Sequence, residues 1–312
     1  MTALVEVNGL SVRFPLRWRG ESVKALTGAS LTVEHGAAVG VIGESGSGKT
    51  TLGRCIAGLV APTEGSVRLS SGVSGRPARV GMLFQDPGSS FDPRMTIGAS
   101  IEEVRSHSGS SSTPRELLGE VGLEAGVIGM RPSRLSPSQQ QRAALARAVA
   151  GEPDLLVLDE PVTALDLTAT AEILQSLNRV RHERGIALLY ISHDLSTVRY
   201  LCDEVVVLYL GQIVERGPAR ALLDAPLHPY SLALLSSALD PDPRRRATPY
   251  TLTGEVPSAV NPPSGCPLHP RCPRATAECA TPPPVVESSS RALCWHPLDA
   301  QTRAAHVDRR AA

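Results

Sequence analysis

The chain has 312 residues, room for one large domain or two modest ones with an ample core. Its 31 basic residues balance 31 acidic ones, so no global field draws it to nucleic acid or anionic lipid. No charge-free apolar stretch approaches the roughly 20 residues of a membrane span, and the opening MTALVEVNGL lacks a basic-then-apolar leader, which predicts a cytosolic protein. Lysine occurs only at Lys24 and Lys49; every other basic residue is arginine. Of six cysteines, Cys55 and Cys202 are scattered, the pattern of reduced, inert thiols, and four crowd into 266–294.

Leu4 to Phe14 and Ala25 to Val33 read as strands, with His35-Gly36 as the next turn. Phe14 closes the first strand and Trp18 follows in an Arg-rich insert. Either could stack on an adenine ring, and Phe14 reads equally as core. The apolar run Ala37 to Ile42 then enters Gly43-Glu44-Ser45-Gly46-Ser47-Gly48-Lys49-Thr50, and a helical pattern runs from Thr51 to Leu59. Strand, Gly-rich loop and helix in this order make a phosphate-binding P-loop. The glycines let successive N–H groups face one anion, and the helix beginning at Lys49 adds its positive end. Lys49 is placed to reach the β- and γ-phosphates, and the Thr50 hydroxyl to ligate Mg2+. Ala61 to Gly65 is a turn, Ser66 to Leu69 a strand, and 70–76 a surface loop.

Val80 to Phe84 reads as a short buried strand ending at Gln85, a position from which a side chain can touch Mg2+ or the attacking water. From Ile97 to Gly129 the pattern is helical, interrupted by a low-complexity linker at Ser106 to Ser112. Leu135-Ser136-Pro137-Ser138-Gln139 introduces a helix running to Ala150, with Ser136 as N-cap and Pro137 at the first helical position. Leu155 to Leu158 is a buried parallel strand that delivers Asp159 and Glu160 at its carboxyl end, where α/β sheets bind ligands. Asp159 is placed to hold Mg2+ through water, and Glu160 to orient and deprotonate the attacking water. Another buried strand, Ile186 to Ile191, ends in Ser192-His193-Asp194, and Glu204 to Tyr209 with Gln212 to Glu215 reads as a hairpin around Gly211. From about Asp240 the character changes: the last 73 residues carry 13 of the 26 prolines and four of the six cysteines. This predicts a separate, loop-rich appendage at 240–312 without a core of its own, for which a metal site is a common staple.

In this order GESGSGKT at 43–50, Gln85, LSPSQ at 135–139, LLVLDE at 155–160, Ala164-Leu165-Asp166 and His193 resemble an ABC-type ATPase subunit. In that family's terms they are Walker A, Q-loop, signature, Walker B, D-loop and switch histidine. The resemblance implies an α/β P-loop NTPase core at 1–239, with an antiparallel β subdomain and a helical subdomain at about 86–150. FQDPGSSFDPRMTIG at 84–98, LHPYSLALL at 227–235 and GEVPSAVNPPSGCPLHPRCPRA at 254–275 narrow it. They look like the ATP-binding subunits of oligopeptide/dipeptide and nickel-peptide importers. The resemblance further implies a dimer holding ATP against 43–50 and Thr51 of one subunit and Ser136, Ser138, Gln139 and Asp166 of the other. The resemblance assigns catalysis to Glu160, His193, Gln85 and Lys49. The partners it implies are two transmembrane permease subunits, with this chain peripheral at the cytoplasmic face of the membrane, and an extracytoplasmic solute-binding protein. Two features depart from the family. The segment 98–134 is short, and the signature LSGGQ has become LSPSQ, with Pro137 and Ser138 for two glycines. Pro137 has no N–H to donate, which predicts a heterodimer with a second ATPase carrying an intact LSGGQ.

The cysteines follow the spacing Cys266-x5-Cys272-x6-Cys279-x14-Cys294. Four thiolates suit an iron–sulfur cluster or structural zinc, and the paired knuckles usual for zinc are missing. The four positions match those of the peptide-importer tail, where the resemblance implies a 4Fe-4S cluster. His269 and His296 are near enough in sequence to substitute, or are solvated loop histidines. Rival readings are a non-transport ABC ATPase and a regulatory subunit that holds ATP with slow turnover. Intact Lys49, Asp159, Glu160 and His193 favour hydrolysis.

Overall fold

The computed structural model describes residues 3–16, 20–72, 75–163, 165–237 and 249–306. Strands β1 (Ala3–Pro15) and β2 (Ser22–Glu34) pair antiparallel. The chain continues through β3 (Ala38–Ile42) and α1 (Lys49–Ile56) before β4 (Glu64–Leu69) closes the other edge of β1, giving a three-stranded sheet in the order β2-β1-β4. Along β1, Val5, Val7, Leu10 and Val12 are buried while Glu6 and Arg13 are exposed. One side of this sheet therefore packs on the rest of the molecule.

The main sheet adds β5 (Val80–Leu83), β6 (Leu155–Asp159), β7 (Ala187–Ile191), β8 (Glu204–Tyr209), β9 (Gln212–Pro218), β10 (Val285–Glu287) and β11 (Arg291–Leu293). Its order is β10-β11-β9-β8-β3-β7-β6-β5. The five strands from β8 to β5 run parallel, and the other three join antiparallel. Every residue of β3, β6 and β7 is buried, as a parallel sheet covered on both faces requires. Alternate side chains serve two cores. Leu188 and Tyr190 of β7 join the helical side, while Leu189 and Ile191 meet Leu52 and Ile56 of α1 and the antiparallel sheet.

On the helical side stand α2 (Ile97–Ser108), α3 (Pro114–Glu120), α4 (Pro137–Val149) and α5 (Leu167–Arg184), followed by α6 (Leu195–Leu201), α7 (Ala219–Asp224) and α8 (Pro229–Ser237). The helix α2 takes in the first three residues, 106–108, of the stretch expected to be a linker. The Ser106 and Ser108 hydroxyls each donate to the carbonyl three residues back, at 2.9 Å, so serine satisfies itself inside the helix. Gly109 then ends it in the left-handed conformation at φ 74°. α3 begins with a full capping box of Thr113 and Glu116.

The boundary expected near Asp240 lies outside the described residues. Beyond it, the tail is not free-standing. β11 pairs with β9, Ala292 opposite Glu215, and Cys266, Leu268 and Cys279 join the core of the helical side. A segment too short of apolar residues for its own core borrows one. The chain closes with α9 (Ala300–His306).

Candidate functional site

The order β3-β7-β6-β5 brings the carboxyl ends of four parallel strands side by side, so the loops that follow them meet. The loop after β3 is the Gly-rich one. Gly48 has φ 105°, and a Cβ there would stand 2.4 Å from the Ala25 carbonyl oxygen, so only glycine passes. Ser45 and Gly46 face solvent, Ser47 is buried and Thr51 half-buried. The Lys49 ammonium is 2.8 Å from each of the Gly43 and Glu44 carbonyl oxygens, donating to both. Burial pulls its pKa down from the ordinary lysine value, against the opposing pull of the Glu160, Asp159 and Glu44 carboxylates.

The Thr50 hydroxyl donates to Asp159 Oδ1 at 3.0 Å. Asp159 is 3% exposed; burial raises its pKa, and the Thr50 hydrogen bond counters this. Two hard oxygen donors side by side suit Mg2+, which takes one or two protein ligands and completes its shell with phosphates and water. The next residue, Glu160, adopts a left-handed φ of 49°, a conformation that costs a non-glycine residue about 1 kcal/mol. Its N–H is held by the Ile191 carbonyl of β7 at 3.0 Å. Its Oε2 accepts from the Thr163 hydroxyl at 3.0 Å and lies 3.5 Å from His193 Nδ1. The sequence does not single out Thr163; its position three residues after Glu160 is the available signal. Gln85, two residues past β5, is exposed.

The LSPSQ stretch forms the start of α4. The Ser136 Oγ accepts from the Gln139 N–H at 3.3 Å, and the Gln139 Oε1 accepts from the Ser136 N–H at 3.0 Å, with Pro137 at the first helical position. The Ser138 hydroxyl is buried and turned inward, so its side chain is not the obstruction that replacing a glycine suggests. Among the described residues no hydrogen bond or ion pair joins Ser136, Ser138 or Gln139 to residues 43–51. Asp166 caps α5 through the Ala169 N–H at 2.8 Å. Phe14 is 42% exposed at the end of β1; Trp18 and Ala164 lie outside the described residues.

In the tail, Cys266, Cys279 and Cys294 are buried and Cys272 is half-buried. Burial pushes the Cys266 thiol up to about 11 and Cys294 up to about 12, and the neighbouring cysteines add to each rise. Nearby backbone N–H groups, of Leu268 and His269 for Cys266, Arg274 for Cys272 and His296 for Cys294, oppose those rises, and the His269 N–H donates to the Cys266 carbonyl at 3.1 Å. His269 and His296 are engaged elsewhere, with the Cys266 carbonyl at 2.9 Å and the Thr276 hydroxyl at 2.8 Å. Among the described residues no three His, Cys, Asp or Glu side chains converge closely enough to hold a single metal ion.

Sequence reading also misses contacts that join the C-terminal half to the P-loop. The Tyr230 hydroxyl accepts from the Glu44 N–H at 2.7 Å. Arg271, beside Cys272, reaches Glu44 Oε2 at 3.1 Å. No local pattern announces a contact between residues 227 positions apart.

The ABC transporter family model matches residues 26–163, and the model of the oligopeptide/dipeptide transporter C-terminal region matches residues 214–279. The chain is 41% identical to a probable peptide ABC transporter ATP-binding protein, y4tS, of Sinorhizobium fredii, over 98% of this chain and 92% of that protein. It is 40% identical to the oligopeptide transport ATP-binding protein OppF of Escherichia coli, over 92% of this chain and 94% of that protein. Among solved structures it is similar to a dimeric ATP-binding cassette, MJ0796, bound to ADP and Pi. The TM-score is 0.58 and the identity 26%, over 69% of this chain and 99% of that one. With its P-loop, strand-end acids and capped LSPSQ helix in place, the chain belongs to the ATP-binding subunits of ABC transporters, in the group that carries the oligopeptide/dipeptide transporter C-terminal region.

Proposed function

We propose that this chain binds and hydrolyses ATP to power an importer of peptides or a related small solute. Two permease subunits span the membrane, and an extracytoplasmic solute-binding protein delivers the cargo. The chain itself sits at the cytoplasmic face; among its described residues no helix is long and apolar enough to cross a membrane. The observation that carries the reading is the Glu160 carboxylate, held between the Thr163 hydroxyl and His193 at the end of β6, two strands along from the P-loop strand β3.

In the reaction, Lys49 exchanges its two carbonyl partners for β- and γ-phosphate oxygens, aided by the N–H groups of 43–50 and the N-terminus of α1. Thr50, Asp159 and Gln85 are the residues that would hold Mg2+, which would supply charge neutralisation at the phosphates. Glu160 takes the proton of the attacking water. Its backbone strain and its two side-chain neighbours fix the oxygen before nucleotide arrives, and His193 positions the γ-phosphate end of the site. Glu160→Gln removes the base while keeping the Thr163 contact. Turnover of the assembled transporter should fall by about 10²–10⁴ with ATP binding retained and a closed dimer trapped. Normal turnover by that variant would remove Glu160 from the role.

The partner in the dimer is a second ATPase with an intact LSGGQ. This reading rests on Pro137, which offers no N–H where the signature donates to the nucleotide of the opposite subunit. A homodimer would carry that defect twice. The active site then combines Lys49 and Glu160 of this chain with the partner's signature, and the site built on LSPSQ turns over slowly.

For the tail we infer a 4Fe-4S cluster on Cys266, Cys272, Cys279 and Cys294. Support comes from four soft donors drawn from 29 residues (266–294), three of them buried, with nearby backbone N–H groups that favour the thiolate form. Structural zinc usually takes paired C-x2-C knuckles, which the intervals between these cysteines lack. The group's contribution is to tie the tail together.

A further inference from the structure

The tail meets the nucleotide loop at two places. On one side the Ala259 carbonyl accepts from the Lys24 N–H of β2 at 2.9 Å, next to Ala25, whose carbonyl crowds Gly48. On the other, Arg271 pairs with Glu44, with Nη1 at 3.1 Å from Oε2 and 3.4 Å from Oε1. The Arg271 side chain is 11% exposed. Its guanidinium stands 5.9 Å from the centre of the Tyr209 ring, and its Nη1 donates to the Tyr209 hydroxyl at 3.4 Å. Tyr209 packs on Tyr230 at 4.5 Å between ring centres, and Tyr230 holds the Glu44 N–H. The guanidinium is thus fixed from behind by aromatic rings, and its own backbone by the Leu268 and Thr253 hydrogen bonds.

Glu44 is the only acid in GESGSGKT. Its carboxylate acts on the Lys49 ammonium through space, so it also lies within electrostatic reach of the phosphates that Lys49 binds. A bare carboxylate there repels a polyanion. Among the described residues Arg271 is the cation paired with it. We propose that Arg271 is a positioning residue for ATP binding: it neutralises Glu44 and holds that carboxylate back from the phosphate cradle, so the tail sets the affinity of the P-loop for nucleotide. The chemistry stays with Glu160, and the effect falls on binding.

The test is a titration of the full-length chain with a fluorescent MANT-ATP, alongside steady-state kinetics of the assembled transporter. The inference rests on ATP binding at this P-loop, which the wild-type titration establishes separately. Arg271→Met should weaken MANT-ATP binding roughly tenfold, about 1.4 kcal/mol, and raise KM for ATP alike, while turnover at saturating ATP falls less than about twofold. Arg271→Lys keeps the charge and should retain affinity within about threefold. Adding Glu44→Gln to Arg271→Met should restore affinity close to wild type, because the repulsion is gone. A clamp that acts only by packing predicts the opposite, with the second substitution giving no rescue. Unchanged affinity in Arg271→Met, or failure of Glu44→Gln to rescue it, overturns the proposal.

Discussion

His228 is completely enclosed. Its Nδ1 accepts from the Tyr230 N–H at 3.1 Å, so the ring proton sits on Nε2, which meets no partner among the described residues. Its own N–H and that of Leu227 donate to the two oxygens of Glu215, at 2.9 and 2.8 Å, and the Ser290 hydroxyl adds a third bond at 2.6 Å. Burial lowers the His228 pKa to about 3 and raises that of Glu215. Proton counting sets the sign: below the ordinary value of 6.5 the unfolded chain takes a proton that the folded chain refuses until about 3. Stability is therefore lost as pH falls through that window. Between about pH 7 and pH 5 the histidine alone accounts for about 2 kcal/mol. His228→Asn keeps an acceptor for the Tyr230 N–H and should lose about 2 kcal/mol less than wild type over that range in urea melts. Glu215 is common to both proteins and cancels in the comparison. Equal slopes would place the acid sensitivity elsewhere.

At the scale of the element, α4 has a helix start that is good for folding and that, on the function proposed, gives up a donor to nucleotide. Pro137 is preorganised for the first turn and the Ser136–Gln139 box satisfies two end groups, yet the proline removes a donor. Replacing Pro137 and Ser138 together with glycine should raise turnover at the site that uses this signature, by up to about 10²–10³ if the missing donor alone limits it. It should also lower stability by about 1–2 kcal/mol through helix propensity. Single-site turnover measured with the partner's catalytic glutamate as the only base separates the two effects. This helix start was legible in the sequence because caps are local: Ser, Pro and Gln at fixed offsets carry their own geometry. The P-loop and the acids closing β6 were legible for the same reason. The end of α2 was not, since a serine run reads as linker until its hydroxyls are seen bonded to their own helix. The Arg271–Glu44 pair and the β11–β9 pairing were also hidden, because each joins positions that only the finished sheet brings together.

Across the whole molecule, the tail is held from two directions: β11 extends the main sheet, and the cysteine region contributes to the core beneath it. Preparation without oxygen should give a brown protein with about four irons and four sulfides per chain. Replacing Cys272 by serine should bleach it. A colourless protein with one zinc per chain would replace the cluster by a zinc site.

The position of β11 bears on how the chain is made. Strand β9 lies on β8, which lies on β3, so the ATPase sheet can assemble once residue 218 has left the ribosome. The outer edge of β9 then waits for residues 291–293. At the elongation rates of living cells, about 5–20 residues per second, that is several seconds with unpaired backbone groups on view. A nascent chain in this interval offers the kind of edge onto which other strands add. A chain stalled between the two strands would therefore keep that edge of β9 open, at Glu215 and Arg216, until Ala292 and Arg291 arrive to pair with them.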